Sequence, residues 1–247
     1  GGNTLNFSMS SQDLYYDYLH IKRAIENSKS ISTCVITLGY YSLYYNLALT
    51  RNKFKCFTTY FPLFSDIHNA ENVELPINSK VAFSDENLEF AHWFWKEDKA
   101  FYGRALLREW LNSYLLSRGG WSKLSLEERD MIAFQRTQLQ NKHIKHIKTY
   151  KENIKIFNDM LELLNEHNIR IIVAILPFAE EYLKYINPIY KESIMEILEE
   201  SPYSIDFIDM NEEGIFTEED MCDSDHLNYR GAQKASLLIK AIIENII

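Results

Sequence analysis

Ile171-Ile172-Val173-Ala174-Ile175-Leu176 is an unbroken apolar run stopped by Pro177, and it is the stretch that decides the fold. A run this short and this rich in β-branched residues predicts a strand buried on both faces. Just before it, Tyr150, Ile154, Phe157, Leu161 and Leu164 recur at helical spacing and predict a long helix ending near His167-Asn168. After it, Glu180-Glu181-Tyr182 opens another helix, where the two acids suit the positive helix end. Ile205-Asp206-Phe207-Ile208-Asp209 follows as the last strand, and a final helix from Asn228 turns Ala232, Ala235, Leu238, Ile242 and Ile246 toward the sheet.

The N-terminal part continues the pattern. Thr4-Leu5-Asn6-Phe7 reads as an extended run, and a helix follows with Leu14, Tyr18, Ile21 and Ile25 on one face and Ser10 or Ser11 as its N-cap. Residues 31–38, Ile-Ser-Thr-Cys-Val-Ile-Thr-Leu, then suit a strand buried on both faces. Strand, helix, strand is a βαβ unit, so the expected class is α/β with a mostly parallel sheet. From about 51 to 141 the alternation lapses. Residues 54–64 are aromatic-rich and read as a strand or irregular loop, while 87–116 predict a helix carrying Phe90, Phe94, Phe101, Leu106, Trp110 and Tyr114. This stretch is expected to be a helical, aromatic-rich insertion in a single domain spanning 1–247, serving as a satellite core, a cap over the site or a partner surface.

Composition narrows the function classes. The chain has 247 residues, 46% of them hydrophobic and 25% charged, which is globular composition sufficient for one sizeable domain. Its net charge of −9, with no Lys/Arg cluster free of acidic neighbours, argues against nucleic acid as a partner. Cys34, Cys56 and Cys222 are too scattered for a disulfide framework or a zinc site. No apolar run is long enough to span a bilayer and no signal segment opens the chain. The expectation is a cytoplasmic protein for the chain as given, or a cell-envelope one if the natural N-terminus is longer.

Chemistry gathers in Asp223-Ser224-Asp225-His226-Leu227-Asn228-Tyr229-Arg230-Gly231-Ala232. A carboxylate three residues before a histidine can fix the imidazole tautomer and stabilise the imidazolium, while the imidazole takes a proton from a hydroxyl. A second use of the same residues would be a metal site of Asp223, Asp225 and His226. His143 and His146 also have a His-x-x-His spacing, but no third ligand lies near them in sequence.

The block from Asp223 to Asn228, followed by Gly231-Ala232, resembles the last motif of the SGNH (GDSL-like) hydrolases, particularly the bacterial branch acting on acylated cell-surface polymers. The resemblance implies a three-layer α/β/α, flavodoxin-like fold and a Ser-His-Asp triad in which Asp223 and His226 are catalytic. Asn6-Phe7-Ser8-Met9-Ser10-Ser11-Gln12 resembles the family's second block, with Ser8 at the glycine whose amide lines the oxyanion hole. Thr37-Leu38-Gly39-Tyr40-Tyr41-Ser42 resembles the third block, with Gly39 at its glycine and Tyr41 where the family has an asparagine. His143 resembles a histidine found before the crossover helix in related proteins.

The family's nucleophile belongs to a Gly-Asp-Ser or Gly-x-Ser turn upstream of the block at Asn6, and the five residues before Asn6 contain no serine. Three alternatives follow: the natural chain continues N-terminally, the nucleophile is lost, or Ser10, Ser11 or Ser42 supplies it. The family's first strand is also missing, leaving a segment within 53–61 or a partner chain to fill its place. The resemblance implies an esterase or O-acyltransferase acting on a carbohydrate ester without a cofactor. The alternative is a catalytically silent module that binds a glycan or a protein through the aromatic insertion.

Overall fold

The structure is a computed structural model and describes residues 4–9, 11–28, 30–73 and 120–245. The expected helix over 87–116 lies outside these residues, as do Ser10 and Ile246. The chain divides into two compact units, one of Gly1–Asn27 with Asn46–Trp110 and the other of Ser28–Tyr45 with Leu111–Ile247.

In the first unit, helix α1 spans Leu14–Asn27. Its cap is Asp13 rather than Ser11: the Asp13 carboxylate accepts from the Tyr16 amide, and Ser11 sits in the left-handed region at φ 63°. Asp13 is buried and also accepts from the Leu47 amide and faces His68 Nδ1 at 3.2 Å, so one carboxylate ties three segments together. Thr4 to Phe7 is exposed and forms no strand. The aromatic stretch expected as strand or loop is helical, a π-helical turn over Cys56–Tyr60 leading into α2, Phe61–Phe64. Ring pairs explain this, since Phe57 stacks on Phe61 four residues on and Tyr60 stacks on Tyr16 of α1 at 3.9 Å. These residues therefore supply no replacement strand.

The second unit is built on a three-stranded parallel sheet of β1 (Thr33–Leu38), β2 (Arg170–Ile175) and β3 (Ile205–Asp209), in that order. Leu38 pairs with Ile175, and Ile175 with Asp209, so the carboxyl ends of all three strands lie along one edge. β2 is central, and Ile171 to Ile175 are all buried, as the apolar run predicts. β1 departs from expectation: Thr37 is exposed between buried Ile36 and Leu38, and among the described residues β2 alone pairs with this strand.

Among the described residues this unit also has four longer helices, α3 (Leu126–Gln140), α4 (Ile147–Glu166), α6 (Ile189–Glu199) and α7 (Tyr229–Ile243), with the short α5 (Glu180–Leu183) after β2. α3 falls within the range read as an insertion, yet it belongs to this unit. It starts on a capping box of Ser125 and Glu128 and is tied to α5 by Arg129 Nε, 3.0 Å from Glu181. α4 packs against β2 and buries Ile156, Phe157, Met160, Leu161 and Leu164, the predicted stripe shifted by its half-buried first turn. α7 lays Ala235, Leu238, Ile239 and Ile242 on Ala174 and Ile208 of the sheet, while Ala232 faces solvent. Among the described residues no helix is long and apolar enough to cross a membrane.

Candidate functional site

The loop between β3 and α7 is fastened before it offers any chemistry. Asp220 is buried at its base, where its carboxylate accepts from the Thr217 amide and Lys234 Nζ, with Arg230 Nε 3.0 Å away. Asn228 caps α7 by accepting from the Gly231 amide, and its side-chain amide donates to the carbonyls of Glu219 and Met221. Gly231 has no room for a side chain, since a Cβ there would fall 2.2 Å from the Asp220 carbonyl oxygen. The Asn228 and Gly231 positions of the motif are thus explained by capping and packing. Between these anchors, Met221 bridges Leu227 and the Cys222 amide donates to the His226 carbonyl, closing a tight turn over Asp223, Ser224 and Asp225. The Ala179 amide donates to the Ser224 carbonyl, which fixes the turn beside the carboxyl end of β2.

In this turn His226 Nδ1 lies 2.9 Å from Asp223 Oδ1 and 3.0 Å from Oδ2. The imidazole side chain is 63% exposed. Asp223 raises its pKa above the ordinary histidine value through that hydrogen bond, burial opposes the rise, and the Asp225 charge adds to it. Burial would raise Asp223 in turn. The His226 hydrogen bond and charge, the Asp225 amide and the Arg136 guanidinium outweigh it and hold the carboxyl below its ordinary range. The pair is therefore arranged as a carboxylate orienting an imidazole, with Nδ1 taken and Nε2 turned away from it. No described residue hydrogen-bonds Nε2.

The Asp225 carboxylate is 5% exposed and points into the unit. Its Oδ2 accepts from Arg136 Nε at 2.8 Å, Arg136 Nη2 at 2.6 Å and Gln140 Nε2 at 3.0 Å, and Gln140 Oε1 accepts from the Tyr182 hydroxyl. Atoms of Asp223, Asp225 and His226 lie within 4.8 Å of one another, close enough to meet around one ion. An arginine fork already occupies one of these carboxylates and the histidine nitrogen facing them is bonded to the other. The chemistry is that of a hydrogen-bonded acid–base pair.

The loop after β1 contributes unequally. Its course is set by Asn153 of α4, whose side-chain amide donates to the carbonyls of Ser42, Leu43 and Tyr45. The Gly39 amide donates to Ser42 Oγ at 2.9 Å, so these two candidates are joined to each other and not to His226. Tyr41 does reach the cluster: burial first, then the charge of Asp225, raise its phenol pKa, while Arg136 and Gln140 act against the rise. Its ring stacks with His143 at 6.0 Å. Burial, with His146 and Arg136, holds His143 down to about 4, a neutral imidazole at physiological pH. His143 and His146 rings stand 5.4 Å apart, and among the described residues no third ligand joins them. Ser8 lies exposed in the first unit with its amide donating to Asn6 Oδ1.

Comparison with known proteins adds no assignment. No family model, curated protein or solved structure matches this chain.

The site thus pairs Asp223 with His226, sets Tyr41 at the border of the Asp225, Arg136 and Gln140 cluster and keeps Gly39 and Ser42 as a separate pair. Reading the sequence misses Arg136, Gln140, Tyr182 and Asn153. The signal for one of them, Gln140, is present but faint: Ala133, Thr137 and Gln140 are the buried positions of α3, and a buried stripe of small and polar residues needs polar partners.

Proposed function

We propose that this protein is an esterase or O-acyltransferase of SGNH type, with a carbohydrate ester as substrate and the three-layer α/β/α organisation of that family. The observation that carries the reading is His226 Nδ1 held by Asp223 at the carboxyl edge of a parallel sheet, the place where open α/β sheets bind ligands. In this reading Nε2 takes the proton of a serine hydroxyl as its oxygen attacks the ester carbonyl carbon. The tetrahedral intermediate then expels the alcohol, which leaves with the proton returned from Nε2. Water or an acceptor hydroxyl, deprotonated by the same nitrogen, releases the acyl group. The Gly39 backbone amide is the oxyanion donor, where a substrate oxygen displaces Ser42 Oγ from the amide.

One observation favours a second reading, a silent SGNH-like module that binds a glycan or protein: no described serine hydroxyl bonds to Nε2. Reaction with a fluorophosphonate probe, followed by intact mass and peptide mapping, separates the two. Labelling of one serine that disappears in His226→Ala supports the hydrolase and names its nucleophile. A folded chain that stays unlabelled favours the binding module.

A further inference from the structure

We propose that Arg136 and Gln140 of α3 are positioning residues for the His226 imidazole, acting through Asp225. The inference builds on the reading of Asp223 and His226 as an acid–base pair.

Two carboxylates flank one ring nitrogen. Asp223 reaches His226 Nδ1 with both oxygens at 2.9 and 3.0 Å, whereas Asp225 Oδ1 stops at 3.6 Å. What stops it is the load on its other oxygen, where the Arg136 fork and Gln140 together place three donors on Oδ2. Gln140 is itself buried and fixed by the Tyr182 hydroxyl, so the clamp is rigid on the side away from the loop. A carboxylate with so little exposure is costly to leave charged unless its lone pairs are taken, and here the Oδ2 side is taken entirely from α3, while Oδ1 has only the longer Ser224 hydroxyl contact at 3.4 Å. The Asp225 amide meanwhile donates to Asp223 Oδ1 at 2.9 Å, so the residue drawn toward α3 also steadies the carboxylate that orients the ring.

The charged groups facing the imidazole are Asp223 and Asp225 from its own loop and Arg136 from α3, with the Tyr41 phenol after β1 bordering the same cluster. Arg136 opposes protonation of His226 directly, and it also keeps Asp225 from closing on Nδ1. Loss of the clamp frees a second carboxylate to compete for the Nδ1 proton. It then turns the ring away from the orientation that Asp223 alone imposes.

The test is an NMR titration of the His226 ring in the full chain, with its resonances identified by their loss in His226→Ala. Arg136→Gln should move the His226 pKa up and Asp225→Asn should move it down, and Arg136→Lys should restore part of the shift by keeping the charge without the fork. Gln140→Met removes one donor without unpairing a charge, so it serves if Arg136→Gln does not fold; it should shift the pKa up by less. A His226 pKa unmoved in Asp225→Asn and in the folded clamp variants overturns the proposal. The titration needs no substrate: shifts in a chain that fluorophosphonate leaves unlabelled keep the positioning role and remove the hydrolase reading. Labelling with an unmoved pKa removes the positioning role alone.

Discussion

His226 Nδ1 is held by both oxygens of Asp223, at 2.9 and 3.0 Å, within a turn closed by the Cys222 amide on the His226 carbonyl. Both members of the pair come from one short loop, so their geometry depends on that loop and its anchors.

The first expectation concerns Asp223 itself. Asp223→Asn keeps the shape but presents an amide where the ring needs an acceptor, and the wrong tautomer lowers the rate by on the order of 10^3- to 10^4-fold in a triad mechanism. Fluorophosphonate labelling rates for Asp223→Asn and His226→Ala check this. Labelling at the native rate in either variant would rule out the pair as the general base.

The pH dependence has a definite sign. The base must be neutral, and the Asp223 hydrogen bond raises the His226 pKa despite opposing burial, so labelling should rise with pH through a midpoint above the ordinary histidine value of about 6.5. A rate profile from pH 5 to 9 gives the midpoint, and one below the ordinary value contradicts the electrostatics of the loop.

Gly231 should tolerate no side chain. Its added Cβ meets the Asp220 carbonyl oxygen at 2.2 Å and Leu227 Cδ2 at 2.8 Å, and the first of these is backbone held by the Asn228 amide. Gly231→Ala is expected to cost about 1–3 kcal/mol, the usual range for overpacking, and to lower the thermal midpoint by several degrees. An unchanged melting curve would show that the loop yields at no cost.

Acid sensitivity should be traceable to Asp209 at the end of β3. This buried carboxylate accepts from the Tyr40 hydroxyl, Lys191 Nζ and both nitrogens of Asn211. Burial would raise its pKa, but these partners outweigh burial and lower it. A depressed folded-state pKa contributes stability that is full above the unfolded value of about 3.9 and is lost as pH falls through the folded one. Asp209→Asn should cost about 2 kcal/mol at pH 7 and flatten the loss of stability below about pH 4. Urea midpoints from pH 7 to pH 3 measure both effects, and parallel curves for the two proteins would contradict the assignment.

Much of the second unit was legible from local pattern. The buried run at 171–176 and the stripe through Phe157, Leu161 and Leu164 record the environment of each segment in its own residues, because a strand or helix repeats the side it buries. The Asp223 and His226 pair was legible for the same reason, since both residues lie in a single turn. The first unit was less so. Phe54 to Phe64 carries residues that suit strands, and its helical form rests on rings that meet Tyr16 from another helix.

The sequence by itself determined an α/β chain with a parallel sheet, the position of its central strand and the loop that carries an imidazole beside a carboxylate. Only the tertiary structure decided which groups press on that imidazole. Arg136 reaches Asp225 across 89 residues of chain and Asn153 holds the Ser42 carbonyl across 111. Neither contact leaves a periodic trace, because a buried polar group is specified by the partner that satisfies it, and that partner is chosen by packing rather than by neighbours in sequence.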